Sequence, residues 1–152
     1  MSEAPQATAL TAASPSSHSS QVTCVQRQFT RRRTAIAHVR RFVRQAISDH
    51  LPADRIEDVV LCASELATNA LRHTPSGREF RVHLAFESDA VRLEVHDAGD
   101  GAPWVCEATE GDDHGRGLFL VAALADNWGI SHRDGPGKAV WAVFQTSRSV
   151  PC

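Results

Sequence analysis

Glu65 and Asn69 stand four residues apart in the stretch Glu65-Leu-Ala-Thr-Asn69. On a helix that spacing makes their side chains neighbours. A carboxamide oxygen can hold a hard cation, and magnesium prefers oxygen ligands. A carboxylate beside it can take a proton from an attacking hydroxyl or water. Taken alone, the pair also fits a solvated polar face. A second group, Asp97-Ala-Gly-Asp-Gly101, follows an alternating apolar run. A carboxylate at a strand end can accept a hydrogen bond from an exocyclic amine such as that of adenine. Gly99 and Gly101 permit backbone angles closed to other residues and let a ligand approach, although Asp and Gly also make ordinary turns. The third group is Gly115-Arg-Gly-Leu118, a glycine pair ahead of an apolar helical pattern. Free N–H groups at a helix start, with the helix dipole, suit a polyphosphate, and Arg116 can add a charge-assisted contact. In order, the three groups read as magnesium and base, then adenine, then phosphate. No Walker-type loop is present.

The elements that must position these groups are legible from periodicity. Residues Val22 to Phe29 predict a first strand anchored by Val25 and Phe29. From Thr34 to Ser48, the spacing of Ile36, Val39, Val43 and Ile47 predicts a helix with one apolar face. Arg40, Arg41 and Arg44 mostly fall off that face, as a solvated surface or as a docking surface for an acidic partner. Leu51-Pro52 interrupts the chain, and a second helix is expected from about Ala53 to Arg72, with Asp54 suiting its dipole. Its buried stripe is Ile56, Val59, Val60, Ala63, Ala67 and Ala70, with Glu65 and Asn69 roughly opposite. The run His73-Thr-Pro-Ser-Gly77 ends it.

Two alternating strands follow, Phe80 to Phe86 and Val91 to Val95, joined by a hairpin at Ser88-Asp89. A long polar loop from Asp97 to Arg116 leads to a helix expected over Leu118 to Asp126. Trp128 to Ser131 predicts a strand, and Ala139 to Thr146 a last one, apolar on both faces and therefore central. The order predicts an α+β fold, a two-layer sandwich of a mixed, mostly antiparallel sheet with helices on one face. The open face is free to pair with a second copy, so a homodimer is one expectation.

With 152 residues the chain fits one domain over residues 22–148 behind a tail over residues 1–21. The tail is rich in Ser, Ala, Thr and Pro and is expected to be disordered. A net charge of −2 argues against a strong direct nucleic-acid partner. No apolar run is long enough to cross a membrane, and the start lacks the pattern of a signal peptide. Cys24, Cys62, Cys106 and Cys152 form no C-x-x-C pair, which favours reduced thiols in a cytoplasmic protein.

The ordered triple resembles the GHKL ATPase superfamily, shared by histidine kinases, gyrase, heat-shock chaperones and MutL. Glu65 to Asn69 is similar to its N box, Asp97 to Gly101 to its first glycine box and Gly115 to Leu118 to its second. The wording from Ser64 to His73 and from Gly137 to Trp141 most resembles single-domain anti-sigma regulatory factors of actinomycetes, which are serine/threonine kinases. The resemblance covers roughly Arg27 to Thr146 and implies the Bergerat ATP-binding fold. It implies ATP and magnesium as cofactors, with Asn69 as magnesium ligand and Glu65 as general base. Asp97 would select adenine, with Gly99 and Gly101 shaping the pocket. Residues 102–114 would form a lid, and Gly115, Gly117 and Leu118 would offer N–H groups to phosphate beside Arg116.

The partner implied is an anti-sigma-antagonist-like protein, a sigma factor, or both. Ala139 stands where relatives often carry a threonine near the adenine, and Asp113 where sporulation relatives carry an arginine. A nucleotide-gated binding module without phosphotransfer is the alternative. A histidine-kinase catalytic domain ranks third, because no pair of long helices precedes the domain and His38 reads as a surface or packing residue.

Overall fold

A computed structural model describes residues 22–98, 113–132 and 137–146, with the backbone alone at 113–116 and 132. The elements are β1 (Thr23–Thr30), α1 (Ala35–Ile47), α2 (Ala53–His73), β2 (Glu79–Phe86), β3 (Ala90–His96), α3 (Asp113–Leu124), β4 (Asn127–His132) and β5 (Lys138–Gln145). The tail expected over residues 1–21, together with Gly99 and Gly101, lies outside the described residues.

The sheet runs β1-β2-β3-β5-β4. Every pairing is antiparallel, so the parallel component of a mixed sheet is absent among the described strands. For β2 and β3 the physical reason is the connection: a tight hairpin, closed by Glu87 N–H donating to Ala90 O at 2.8 Å, joins them. Such short links permit only antiparallel neighbours. Strand β5 lies between β3 and β4, as its two apolar faces require.

The helices lie on one face, over a core that includes Val39, Val43, Ile47, Leu66, Leu84, Leu93 and Phe144. Alternation sets this: Phe80, Val82 and Leu84 point inward from β2, while Arg81 and His83 point to the open face. There Arg92 donates to Glu94 at 2.6 Å, and His96 Nε2 lies 2.9 Å from the other Glu94 oxygen. Burial pushes the Glu94 pKa up, but the hydrogen bonds from Arg92 and His96 outweigh it and hold the carboxyl below its ordinary value.

Helix α2 is enclosed further round than one stripe allows. Cys62, Ser64, Leu66 and Asn69 are buried along with Val59, Val60, Ala63, Ala67 and Ala70, because α1 flanks one side, the sheet a second and α3 a third. Pro52 opens the helix, with its carbonyl accepting from Ile56 N–H at 2.9 Å, and Arg72 and His73 in the last turn suit the dipole. Helix α3 starts at Asp113, five residues before the expected Leu118, so Gly115 and Gly117 lie inside it rather than ahead of it. Glycine disfavours a helix interior by roughly 1 kcal/mol relative to alanine, and that local signal is overridden here.

The buried Arg55 fixes the far end of α3. Its guanidinium donates to Leu124 O at 2.8 Å and to Asp58 at 3.1 Å, and pairs with Asp126. Asp126 in turn accepts from Gln145 N–H at 2.7 Å, tying the end of α3 to α2 and β5.

Candidate functional site

Two clusters sit near the C-terminal half of α2. The first is the seam between α2 and α3. Glu65 is half-buried and Asn69 is only 3% exposed. The Asn69 Nδ2 atom is buried without a hydrogen-bond partner among the described residues. Burying an amide unsatisfied costs about 1–3 kcal/mol, so the described part of the fold leaves polar capacity unused here.

Gly117 of α3 closes over both side chains. A Cβ built on it would lie 3.2 Å from Glu65 Oε2 and 3.5 Å from Asn69 Nδ2. The third motif is thereby brought onto the first, 48 positions apart in sequence. A half-turn about the terminal bond of Asn69 exchanges its nitrogen and oxygen, so the same spot can present an oxygen to a cation. With a carboxylate, a carboxamide and no Cβ in the way, the seam fits magnesium as a ligand set.

The second cluster gathers where β3 ends. Asp97 is 1% exposed. Its N–H donates to Lys138 O at 3.0 Å, and Lys138 N–H donates back to Asp97 Oδ1 at 3.4 Å. The Lys138 ammonium, itself 2% exposed, lies 3.9 Å from Asp97 Oδ2. Gly137 precedes it with φ of +96°, and a Cβ there would collide with the Asp97 carbonyl oxygen. Only glycine fits that backbone and that approach.

Thr74 joins the clusters. Its N–H ends α2 by donating to Ala70 O at 2.8 Å, and its hydroxyl accepts from Ala98 N–H at 3.4 Å. Asn69 precedes Thr74 by five residues, a helix rise of roughly 7.5 Å. Asn69 and the Asp97 strand end therefore border one region at the end of α2.

The Glu65–Asn69 motif and Gly117 meet, and Leu118 packs partly buried against the core. Gly115 and Arg116 lie in the first turn of α3. In a helix beginning at Asp113, the N–H groups left over belong to residues 113–116, while those of Gly117 and Leu118 fall in the second turn.

A family model described as the histidine kinase-like ATPase domain matches residues 29–144. The chain belongs to that family. This ATPase domain is also similar to the solved Acinetobacter baumannii histidine kinase AdeS, at 16% identity and a TM-score of 0.47, covering 82% of this chain and 68% of that one. Among curated proteins, no sequence matches it.

Three residues of the ATPase domain escaped the motif reading. Thr74 reads in sequence as part of a helix stop, Gly137 as part of a turn, and Lys138 has no role assigned to it. Their roles come from contacts reaching 24 to 41 residues along the chain. A usable signal existed for Gly137 and Lys138 alone, since both fall in the family-like stretch from Gly137 to Trp141.

Among the described residues no helix is long and apolar enough to cross a membrane. Cys24 is exposed and Cys62 is buried, both as free thiols. Burial pushes the Cys62 thiol up to about 12, with the nearby Asp58 carboxylate adding to it.

Proposed function

We propose that this ATPase domain binds magnesium-ATP along the α2–α3 seam and acts as an anti-sigma-factor-like serine/threonine kinase. The observation that carries the reading is Gly117 lying against Glu65 and Asn69, where an added Cβ would come within 3.2 Å of the carboxylate and the Asn69 Nδ2 atom has no partner among the described residues. A ligand that completes that seam must bring oxygen-rich, charged groups.

Asn69 would hold magnesium through its amide oxygen, and Glu65 stands beside it. When bound, the ion would offset the charge of the triphosphate. The leftover N–H groups at the start of α3 and its dipole favour phosphate oxygens, with Gly115 and Gly117 keeping side chains out of the way and Arg116 adding a cation. Asp97, anchored by Lys138 and Gly137, would accept from the adenine amine, with Gly99 and Gly101 shaping the pocket.

The partner would be an anti-sigma-antagonist-like protein bearing an accessible serine. Glu65 takes the serine proton as the hydroxyl oxygen bonds to the γ-phosphorus. The bond from that phosphorus to the bridging oxygen breaks, leaving ADP and phosphoserine. The polar open face of the sheet leaves room for a homodimer.

A titration of magnesium-ATP against wild type and Asp97→Asn tests the pocket, and loss of binding in the variant alone is the expected result. Radiolabelled ATP tests transfer. Glu65→Ala should keep nucleotide binding and lose partner labelling. Absence of binding to wild type at millimolar nucleotide overturns the reading.

A second reading, a nucleotide-gated binding module without phosphotransfer, draws on Ala139. That residue is 4% exposed and sits opposite His96, where a threonine hydroxyl would stand in relatives. It predicts capture of a sigma factor or antagonist only with nucleotide present, and stoichiometric partner phosphorylation excludes it.

A further inference from the structure

Residues 31–48 hold six arginines and no carboxylate, which leaves ten basic against eighteen acidic residues in the rest of the chain. The charge is therefore strongly separated within a protein whose net value is only −2. Arg31, Arg32 and Arg33 precede the N-terminus of α1, where the dipole is already positive, and no acidic residue lies in the first turn. Like sign at that end opposes the helix. Arg31 is used internally, donating to Leu71 O at 3.0 Å. Arg32, Arg33 and Arg41 are exposed and have no side-chain partner among the described residues, so nothing within the described fold accounts for their charge.

A groove of about 300 Å³ runs between α1 and α2, bordered by Arg40 and Arg44 of the same arginine-rich segment and by Glu57, Val60, Leu61 and Ser64. Leu61 is 41% exposed, an apolar side chain on an otherwise charged rim. Arg40 is held in place by donating to Ser64 Oγ at 2.6 Å, and Arg44 pairs with Glu57.

We propose that the α1–α2 groove and the arginines around it dock an acidic, amphipathic segment of a partner protein. Its carboxylates would meet Arg33, Arg40 and Arg41, and an apolar side chain would cover Leu61. Charge complementarity selects an anionic partner. The apolar Leu61 and the Glu57 carboxylate on the rim favour a peptide over a polyphosphate backbone, and the acidic remainder of the molecule would repel a long nucleic acid. An isolated leucine offers too little apolar area for a membrane surface.

The groove also bears on the site across α2. Leu61 and Glu65 are one turn apart on the same strip of helix. A segment seated on Leu61 thus ends beside the residue read above as the base. That last link rests on the proposed phosphotransfer, whereas the docking surface does not.

The test is a display library of 16-residue peptides tiling the proteome of the encoding organism, selected on the full chain and on the Arg33→Glu/Arg41→Glu double variant. Enriched peptides are then titrated by fluorescence anisotropy. The expected result is enrichment of net-acidic peptides carrying leucine, isoleucine or phenylalanine. They should bind at least tenfold more weakly to the double variant and to Leu61→Asp, while magnesium-ATP affinity stays within twofold in both.

A 20-nucleotide single-stranded RNA and phosphatidylcholine vesicles with a quarter phosphatidylglycerol run as parallel arms. The proposal is overturned if no peptide is enriched, if the enriched set is neutral or basic, or if the double variant retains it equally. It is also overturned if RNA or vesicles bind wild type more tightly than the selected peptides. Loss of nucleotide binding with peptide capture intact would fault the site reading and leave this surface standing.

Discussion

The two flanks of α2 are built on opposite terms. Toward α1 the inner side of the seam is packed beneath its surface groove: Val39 and Val43 are fully buried, and Ser64 accepts from Arg40 at 2.6 Å. Toward α3 the seam keeps a buried amide nitrogen without a partner among the described residues and a glycine where an added Cβ would press on Glu65. One helix thus carries a finished interface and an unfinished one a few residues apart. On the function proposed above, the second flank would hold nucleotide-binding capacity at a cost in stability, as expected where a site breaks local rules.

The comparison breaks most readily at Asn69. Asn69→Ala is expected to weaken magnesium-ATP binding at least a hundredfold, about 2.7 kcal/mol, in isothermal titration. The same change removes an unsatisfied buried amide and should leave stability unchanged or raised by up to about 1 kcal/mol, read by chemical denaturation. A variant that melts early yet binds normally would make both flanks structural. Gly117→Val should follow, with affinity down ten- to a hundredfold and the melting temperature altered by no more than a few degrees. Its methyls would press on Glu65 Oε2, 3.2 Å from the first added carbon.

On the α1 flank, Ser64→Ala should lower stability by about 0.5–1 kcal/mol and leave nucleotide affinity within twofold. Cys62, buried in the core near Arg55 and Asp58 and pushed up to about 12, has roughly one thiol in ten thousand ionised at pH 8. Mass mapping after alkylation should find Cys24 modified and Cys62 intact until the protein is unfolded. The smallest effect lies on the open sheet face. Because the folded Glu94 pKa is depressed, its contribution is present above the unfolded value near ~4.3 and fades as pH falls through the folded value. Glu94→Gln should therefore cost less than about 1 kcal/mol at pH 7 and progressively less as the pH is lowered, measured by denaturant titration.

Periodicity made the elements legible to within a few residues, since β1, α1, α2, β2 and β3 follow apolar spacings that packing then honours. It failed at the start of α3, where glycines argued against a helix that tertiary burial of Val121 sustains. Glu65, Asn69, Asp97 and Gly117 could be picked out because each sits in a short motif. The meeting of Gly117 with Glu65 and Asn69 could not be derived from local pattern, since it depends on α3 folding back across α2. Lys138 and Thr74 were hidden for a further reason: a lysine at a strand start and a threonine at a helix stop are ordinary surface choices. Only the topology puts Lys138 inside.

Trp141 on β5 lies flat across Gly129, where an added carbon would come within 2.6 Å of the indole, and beneath Arg92, whose guanidinium carbon is 4.5 Å from the ring. The strand that carries it begins at Lys138, the residue paired with Asp97. With Trp104 and Trp128 replaced by phenylalanine, the remaining indole becomes an intrinsic optical gauge. Its emission, sensitive to the cation above it, would register any displacement of β5 without a dye attached to the molecule.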